Sequence, residues 1–202
     1  MTIELVNGDC LQYMATLEDN SFDLAVVDPP YGININKSGR LGHYGGQKDW
    51  DNKTPNQKYF DELIRVSKHQ IIWGGNYFIN YLSPTSCFLI WDKKQPQDLS
   101  FAQCEMAWTS YKSSAKIFVF RPHQIKNRIH PTQKPIQLYQ WIFDKYAKKG
   151  MKILDTHLGS GSSAIAAHDS GLDFVGIELD ADYFQAAKER LETHQQQLRL
   201  FT

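Results

Sequence analysis

A chain of 202 residues that is 42% hydrophobic and 22% charged can bury one ordinary core, and little length is left for a second large domain. Twenty-two basic residues offset twenty-two acidic ones, so overall charge decides nothing about a polyanionic partner and only local charge can. Cys10, Cys87 and Cys104 are odd in number and lack metal spacing, and no apolar run approaches the roughly 18–20 residues of a membrane span, which argues against a disulfide framework, structural zinc and a bilayer helix and for a cytoplasmic protein.

In chain order, Ile3 to Val6 and Phe22 to Val27 are short β-prone runs that read as buried strands. Asn34 to Pro55 is rich in Gly, Asn, Lys and Asp without periodicity and reads as a long mobile loop, covering 33–55. Tyr59 to Val66 has helical spacing, and Gln70 to Trp73 is a strand stopped by Gly74-Gly75. Cys87 to Trp91 and Lys116 to Phe120 read as two more strands, joined by a hairpin or an irregular excursion. Pro135 suits the start of a helix running to about Ala147 and closed by Gly150. Then come a strand (Lys152 to Asp155), a glycine-rich turn (His157 to Ser163), a helix (Ala164 to Ser170), a strand (Phe174 to Glu178) and a final helix (Ala181 to Thr193). This alternation predicts a single α/β domain, 1–202, with a mainly parallel sheet covered on both faces.

Two motifs carry chemistry. In Leu154-Asp155-Thr156-His157-Leu158-Gly159-Ser160-Gly161 the glycines allow close approach of a ligand to the backbone, and Glu178 at the end of the next strand can accept hydrogen bonds from ribose hydroxyls. A nucleotide-type site and a purely structural turn both fit. Gly159 to Ala164 even satisfies the dinucleotide fingerprint, but only about forty residues follow it, too few for the further strands of a complete dinucleotide fold. The second motif, Asp28-Pro29-Pro30-Tyr31, stands directly after a predicted strand. Its two prolines fix φ and remove two backbone donors, so the loop offers mainly acceptors, which suits an amino group.

With this tetrapeptide, the glycine turn, Asn7-Gly8-Asp9-Cys10, Ile72-Trp73-Gly74-Gly75-Asn76 and His130-Pro131-Thr132-Gln133-Lys134-Pro135, most of the chain resembles the amino-methyltransferases of nucleic acids. The order, tetrapeptide first and glycine turn last, resembles the beta group of DNA methyltransferases, whose adenine-specific members read DPPY. The resemblance implies a Rossmann-like class I S-adenosylmethionine-dependent methyltransferase fold, circularly permuted, with a seven-stranded sheet. It implies methyl transfer from S-adenosylmethionine to the N6 amine of a flipped adenine in DNA, with Asp28, Pro29, Pro30 and Tyr31 catalytic. Glu178 is then expected at the cofactor's ribose and Asp9 with Cys10 at its adenine. Asp155 with the Gly159 and Gly161 backbone is expected around its methionine portion, Thr132 and Lys134 at its carboxylate, and Asp28, His157 and Ser160 among the other cofactor-binding residues. His157 stands where the family usually has phenylalanine. Methylation of the N4 amine of cytosine and an inactive DNA-binding relative are the alternatives.

For DNA, Met106 to Phe143 holds no acidic residue while Lys112, Lys116, Arg121, Lys126, Arg128 and Lys134 supply positive charge, either a merely solvated face or a phosphate-binding one. The loop residues Lys37, Arg40, His43, Tyr44 and Lys48 are a second candidate, placed to close over the target. A short target-recognition region is expected at 95–128. The expected partners are DNA and, as an open option, a second copy of the chain, with no membrane and no metal.

Overall fold

The computed structural model describes residues 1–35, 48, 50–96, 98 and 102–199, with side chains to 197. Its strands are β1 (Ile3–Asn7), β2 (Phe22–Val27), β3 (Ser67–Trp73), β4 (Phe88–Asp92), β5 (Cys104–Thr109), β6 (Lys116–Val119), β7 (Lys152–Asp155) and β8 (Asp173–Glu178). Its helices are α1 (Cys10–Met14), α2 (Gln57–Val66), α3 (Ile136–Tyr146), α4 (Ser162–Asp169) and α5 (Ala181–Arg199). One sheet results, in the order β1-β8-β7-β2-β3-β5-β4-β6.

Strand β2 shows why the sheet is covered twice. Leu24 and Val26 enter one apolar cluster with α3, α4 and α5, while Ala25 and Val27 enter a second with α1 and α2, as the two-residue period of a strand requires. Helix α2 presents Tyr59, Phe60, Leu63 and Val66 to the second cluster, and its Asn56 cap accepts from the Tyr59 N–H at 3.3 Å. Burying side chains such as Phe60 and Leu63 contributes about 1.5–3 kcal/mol each. On the other face Asp169, closing α4, accepts from His194 of α5 at 2.6 Å. No helix among the described residues is long and apolar enough to cross a membrane.

The pairs β1/β8, β8/β7, β7/β2, β2/β3 and β4/β6 are parallel, as expected. The segment read as a hairpin or an excursion contains β5, antiparallel to both β3 and β4, so the sheet has eight strands where seven were expected. Strand β5 is thinly patterned, with Glu105 between Cys104 and Met106, and its pairing with neighbours on both sides outweighs that weak local signal. Pro135 caps α3 instead of opening it.

From β7 the chain proceeds through α4 to β8 on one side, and from β2 through α2 to β3 on the other. The carboxyl ends of β2 and β7 therefore flank a topological switch point, where ligands of open α/β sheets bind.

Candidate active site

At that switch point a cavity of about 1200 Å³ opens. It brings together Asp9, Cys10, Asp28, Pro29, Pro30, Tyr31, Arg128, Thr132, Lys134, His157, Gly159, Ser160 and Glu178, which sequence alone had singled out. Asp155 and Gly161 stand behind it.

The glycine turn forms one wall. Gly159 (φ +51°) and Gly161 (φ +73°) occupy the left-handed region that favours glycine. A Cβ on Gly159 would meet nothing closer than His130 at 3.9 Å and would simply project into the cradle, whereas one on Gly161 would stand 3.1 Å from the Ala187 Cβ. Glu178 Oε2 accepts from the Gly159 N–H at 2.8 Å and Oε1 from the Asp180 N–H at 2.9 Å, while burial pushes its carboxyl up. Asp155 faces the turn itself, accepting from the Ser163 hydroxyl at 2.6 Å and the His157 N–H at 3.0 Å, and burial pushes its carboxyl up to about 7. From α5, Arg190 donates to the Ser160 carbonyl at 2.7 Å and braces the turn from behind.

Asp9 caps α1, its Oδ1 accepting from the Gln12 N–H at 3.0 Å, and Gly8 donates to the Glu178 carbonyl, which sets Asn7-Gly8-Asp9-Cys10 beside Glu178. Burial pushes the Cys10 thiol up to about 12, so it stays protonated. His157 is held down to about 4 by burial, and its neutral ring lies edge-on to Tyr59 at 5.4 Å with Nδ1 2.9 Å from Thr156 Oγ1. A neutral aromatic ring thus fills the place where the family usually has phenylalanine.

Opposite lies the Asp28 loop. Tyr31 donates its hydroxyl to Asp28 Oδ1 at 2.6 Å, and its ring stacks on Tyr77 at 4.9 Å. Gly74, with φ +72°, lets that ring in, since a Cβ there would stand 2.2 Å from it. The loop backbone is tied down by Asp51, whose buried carboxylate accepts from the N–H groups of Tyr31 (2.8 Å), Gly32 (2.9 Å) and Ile35 (3.0 Å).

Lys134, expected at a cofactor carboxylate, instead hydrogen-bonds Asp28 Oδ2 and lies 3.0 Å from Glu105, which in turn pairs with Lys93 at 2.6 Å. Burial raises the Asp28 carboxyl above its ordinary range, against the pull of Lys134, while the two lysines hold Glu105 down to about 2 in spite of its burial. Thr132 lies beside His130, its Oγ1 3.2 Å from Nδ1. Asp51, Glu105, Lys93 and Tyr77 were not singled out by sequence. Glu105 alone left a trace, as the last acid before the acid-free stretch.

Residues 90–189 match the DNA methylase family. The chain is similar to that family over these residues. Type II methyltransferase M.HpaI of Haemophilus parainfluenzae is 23% identical to this chain over 239 residues, covering 96% of the chain and 75% of the relative. The M1.HpyAVI–SAM complex shares its fold with a TM-score of 0.66 at 22% identity, over 94% of this chain and 99% of that one. The cytosine-N4-specific PvuII DNA methyltransferase does so with 0.67 at 12% identity, over 97% and 91%.

The basic residues of the chain divide. Arg128 lines the cavity and donates to the Pro122 carbonyl, and exposed Arg121 and Lys126 lie in the same segment beyond the end of β6. Lys116 begins β6 and pairs with Leu89, so it and Lys112 lie at the opposite end of the sheet from the cavity, a correction to their grouping with the rest. Lys48 pairs with Asp180 at 2.6 Å and with Asp182 at 2.7 Å. Lys37, Arg40, His43 and Tyr44 lie outside the described residues.

Proposed function

We propose that the chain transfers a methyl group from S-adenosylmethionine to the N6 amine of adenine in DNA, as a beta-group enzyme. One observation carries the reading: a single cavity holds an acceptor-rich Asp28-Pro29 loop at the end of β2 and a Glu178-bound glycine turn at the end of β7. The cofactor fits the second wall, where the bare Gly159 leaves a cradle that a Cβ would fill and Glu178 presents a carboxylate to ribose hydroxyls. Asp9 and Cys10 border that wall at the adenine end, and His157, Ser160 and Thr132 complete it. When bound, the cofactor supplies an electrophilic methyl group on its sulfonium.

The chain's own residues do the rest by positioning. A base inside a duplex cannot enter, so it is flipped, at a cost of a few kcal/mol. The stacked pair Tyr31 and Tyr77 offers it an aromatic wall. The Asp28 carboxylate and the Pro29 carbonyl accept the two amine hydrogens, which turns the nitrogen lone pair toward the methyl donor. No base is needed before attack, since the amine becomes acidic only as it gains the methyl group, and Asp28 then takes the proton. Arg128, which lines the cavity, would meet the target strand.

The aspartate at position 28 favours adenine, while the shared fold of a cytosine-N4 enzyme supports the second reading, N4-methylcytosine. Mass spectrometry of nucleosides from DNA treated with the protein and S-adenosylmethionine tests both. N6-methyladenine is expected; N4-methylcytosine or unmodified DNA would overturn the adenine reading.

A further inference from the structure

Behind the catalytic loop, four buried or half-buried charges alternate in a row: Asp28, Lys134, Glu105 and Lys93. They come from four places in the fold. Asp28 follows β2, Lys93 follows β4, Glu105 lies in β5 and Lys134 precedes α3. The antiparallel direction of β5 matters here, because it delivers the start of that strand to the carboxyl ends of its neighbours, with Glu105 beside Trp91. The Lys134 side chain is 3% exposed and that of Glu105 21%, so these charges have given up most of their hydration and depend on one another.

We propose that Glu105 is a positioning residue: gripped by Lys93, it fixes the ammonium of Lys134 on Asp28 and so sets how the amine-accepting carboxylate is aimed and charged. The proposal rests on the methyltransferase reading for its catalytic meaning, but the arrangement is testable without it. Lys134 has no other acid within reach among those the structure pairs with it, so Asp28 and Glu105 compete for one cation. The remaining groups that bear on Asp28 are Tyr31, Tyr59 of α2, Tyr139 of α3 and Asp155 of β7. All are neutral or acidic, which leaves Lys134 as the cation that balances it.

Opposite signs follow. Changing Glu105→Gln removes a negative charge from the neighbourhood of Asp28, which then ionises at lower pH. Changing Lys134→Met removes the balancing cation, and Asp28 ionises at higher pH. A purely structural glutamate would give no such opposition. The Asp28 carboxyl is followed by carbon-13 NMR in aspartate-labelled protein, assigned with Asp28→Asn, and the pH dependence of kcat for DNA methylation is measured in parallel.

The Glu105→Gln titration should move down and that of Lys134→Met up, with the acid limb of kcat following each. In Glu105→Gln, kcat should fall about tenfold to a hundredfold with little change in KM for S-adenosylmethionine. Glu105→Asp, which keeps the charge, should recover most of the wild-type profile and serves if the glutamine variant folds poorly. An unchanged Asp28 titration in Glu105→Gln, or a shift in the same direction as in Lys134→Met, overturns the proposal. Absence of methylation by the wild type, with the opposed titrations intact, overturns the enzymatic reading alone.

Discussion

In the proposed mechanism the chemistry turns on Asp28, and the environment of that residue gives a pH dependence. A carboxyl whose folded value is raised by burial loses its proton only above the ordinary carboxylate range. Since the proposed mechanism has the ionised form accept the amine hydrogens, kcat should fall as pH drops through that raised value, giving an acid limb at higher pH than a solvated aspartate would. Asp28→Asn should reduce kcat at least a thousandfold at every pH while cofactor affinity, read by calorimetry, stays within about threefold. His157 makes a second case. Its imidazole is held at about 4 when folded, against 6.5 for the unperturbed group, so between these values the unfolded chain binds a proton that the folded one refuses. Stability from this residue is whole above about pH 6.5 and is lost as pH falls toward 4. His157→Phe should therefore lose less Tm than the wild type between pH 7 and 4.5; equal losses in a thermal series would contradict the buried, neutral assignment.

At the scale of elements, the turn after β3 decides whether Tyr31 can be seated against Asp28. Gly74 has φ +72° and meets the Tyr31 ring where a Cβ would stand 2.2 Å away. Gly74→Ala must push Tyr31 off Asp28 and Tyr77, so kcat should fall at least tenfold while S-adenosylmethionine still binds; a variant with wild-type kcat would show that this seat is dispensable. Such features were legible in the sequence because Gly74-Gly75, the Asp28-Pro29-Pro30-Tyr31 loop and the glycine turn encode backbone needs in the residues themselves. Alternating strands and helices were legible for the same reason. Glu105 was not, since its role depends on β5 running antiparallel beside β4, a long-range fact that no local pattern carries. The contacts of Lys134 with Asp28 and Glu105 were not legible either, because a lysine's partner is whichever acid the tertiary fold brings within reach. Asp51 likewise became visible only once the backbone of Tyr31 to Ile35 curled around it.

Across the whole molecule, net charge is zero, so any attraction for a polyanion depends on how the cations are distributed over the two ends of the sheet. The cavity opens at the carboxyl ends of β2 and β7, and Arg121, Lys126 and Arg128 follow β6 at that end, whereas Lys112 and Lys116 sit at the other. A duplex whose base enters the cavity lays its phosphates near the first group and away from the second. Neutralising a phosphate releases condensed counterions, so each phosphate left without its cation lowers the slope of log K against log salt by about 0.9. Arg121→Glu and Lys126→Glu should therefore each weaken DNA binding at least threefold and flatten the salt dependence by about one unit, measured by fluorescence anisotropy on a labelled duplex. The same reversal at Lys112 should change neither, since that residue stands a full strand length from the mouth of the cavity. Equal weakening by the Lys112 and Arg121 variants would mean that the duplex approaches from a different side, and that the target base does not reach Asp28 through the opening between β2 and β7.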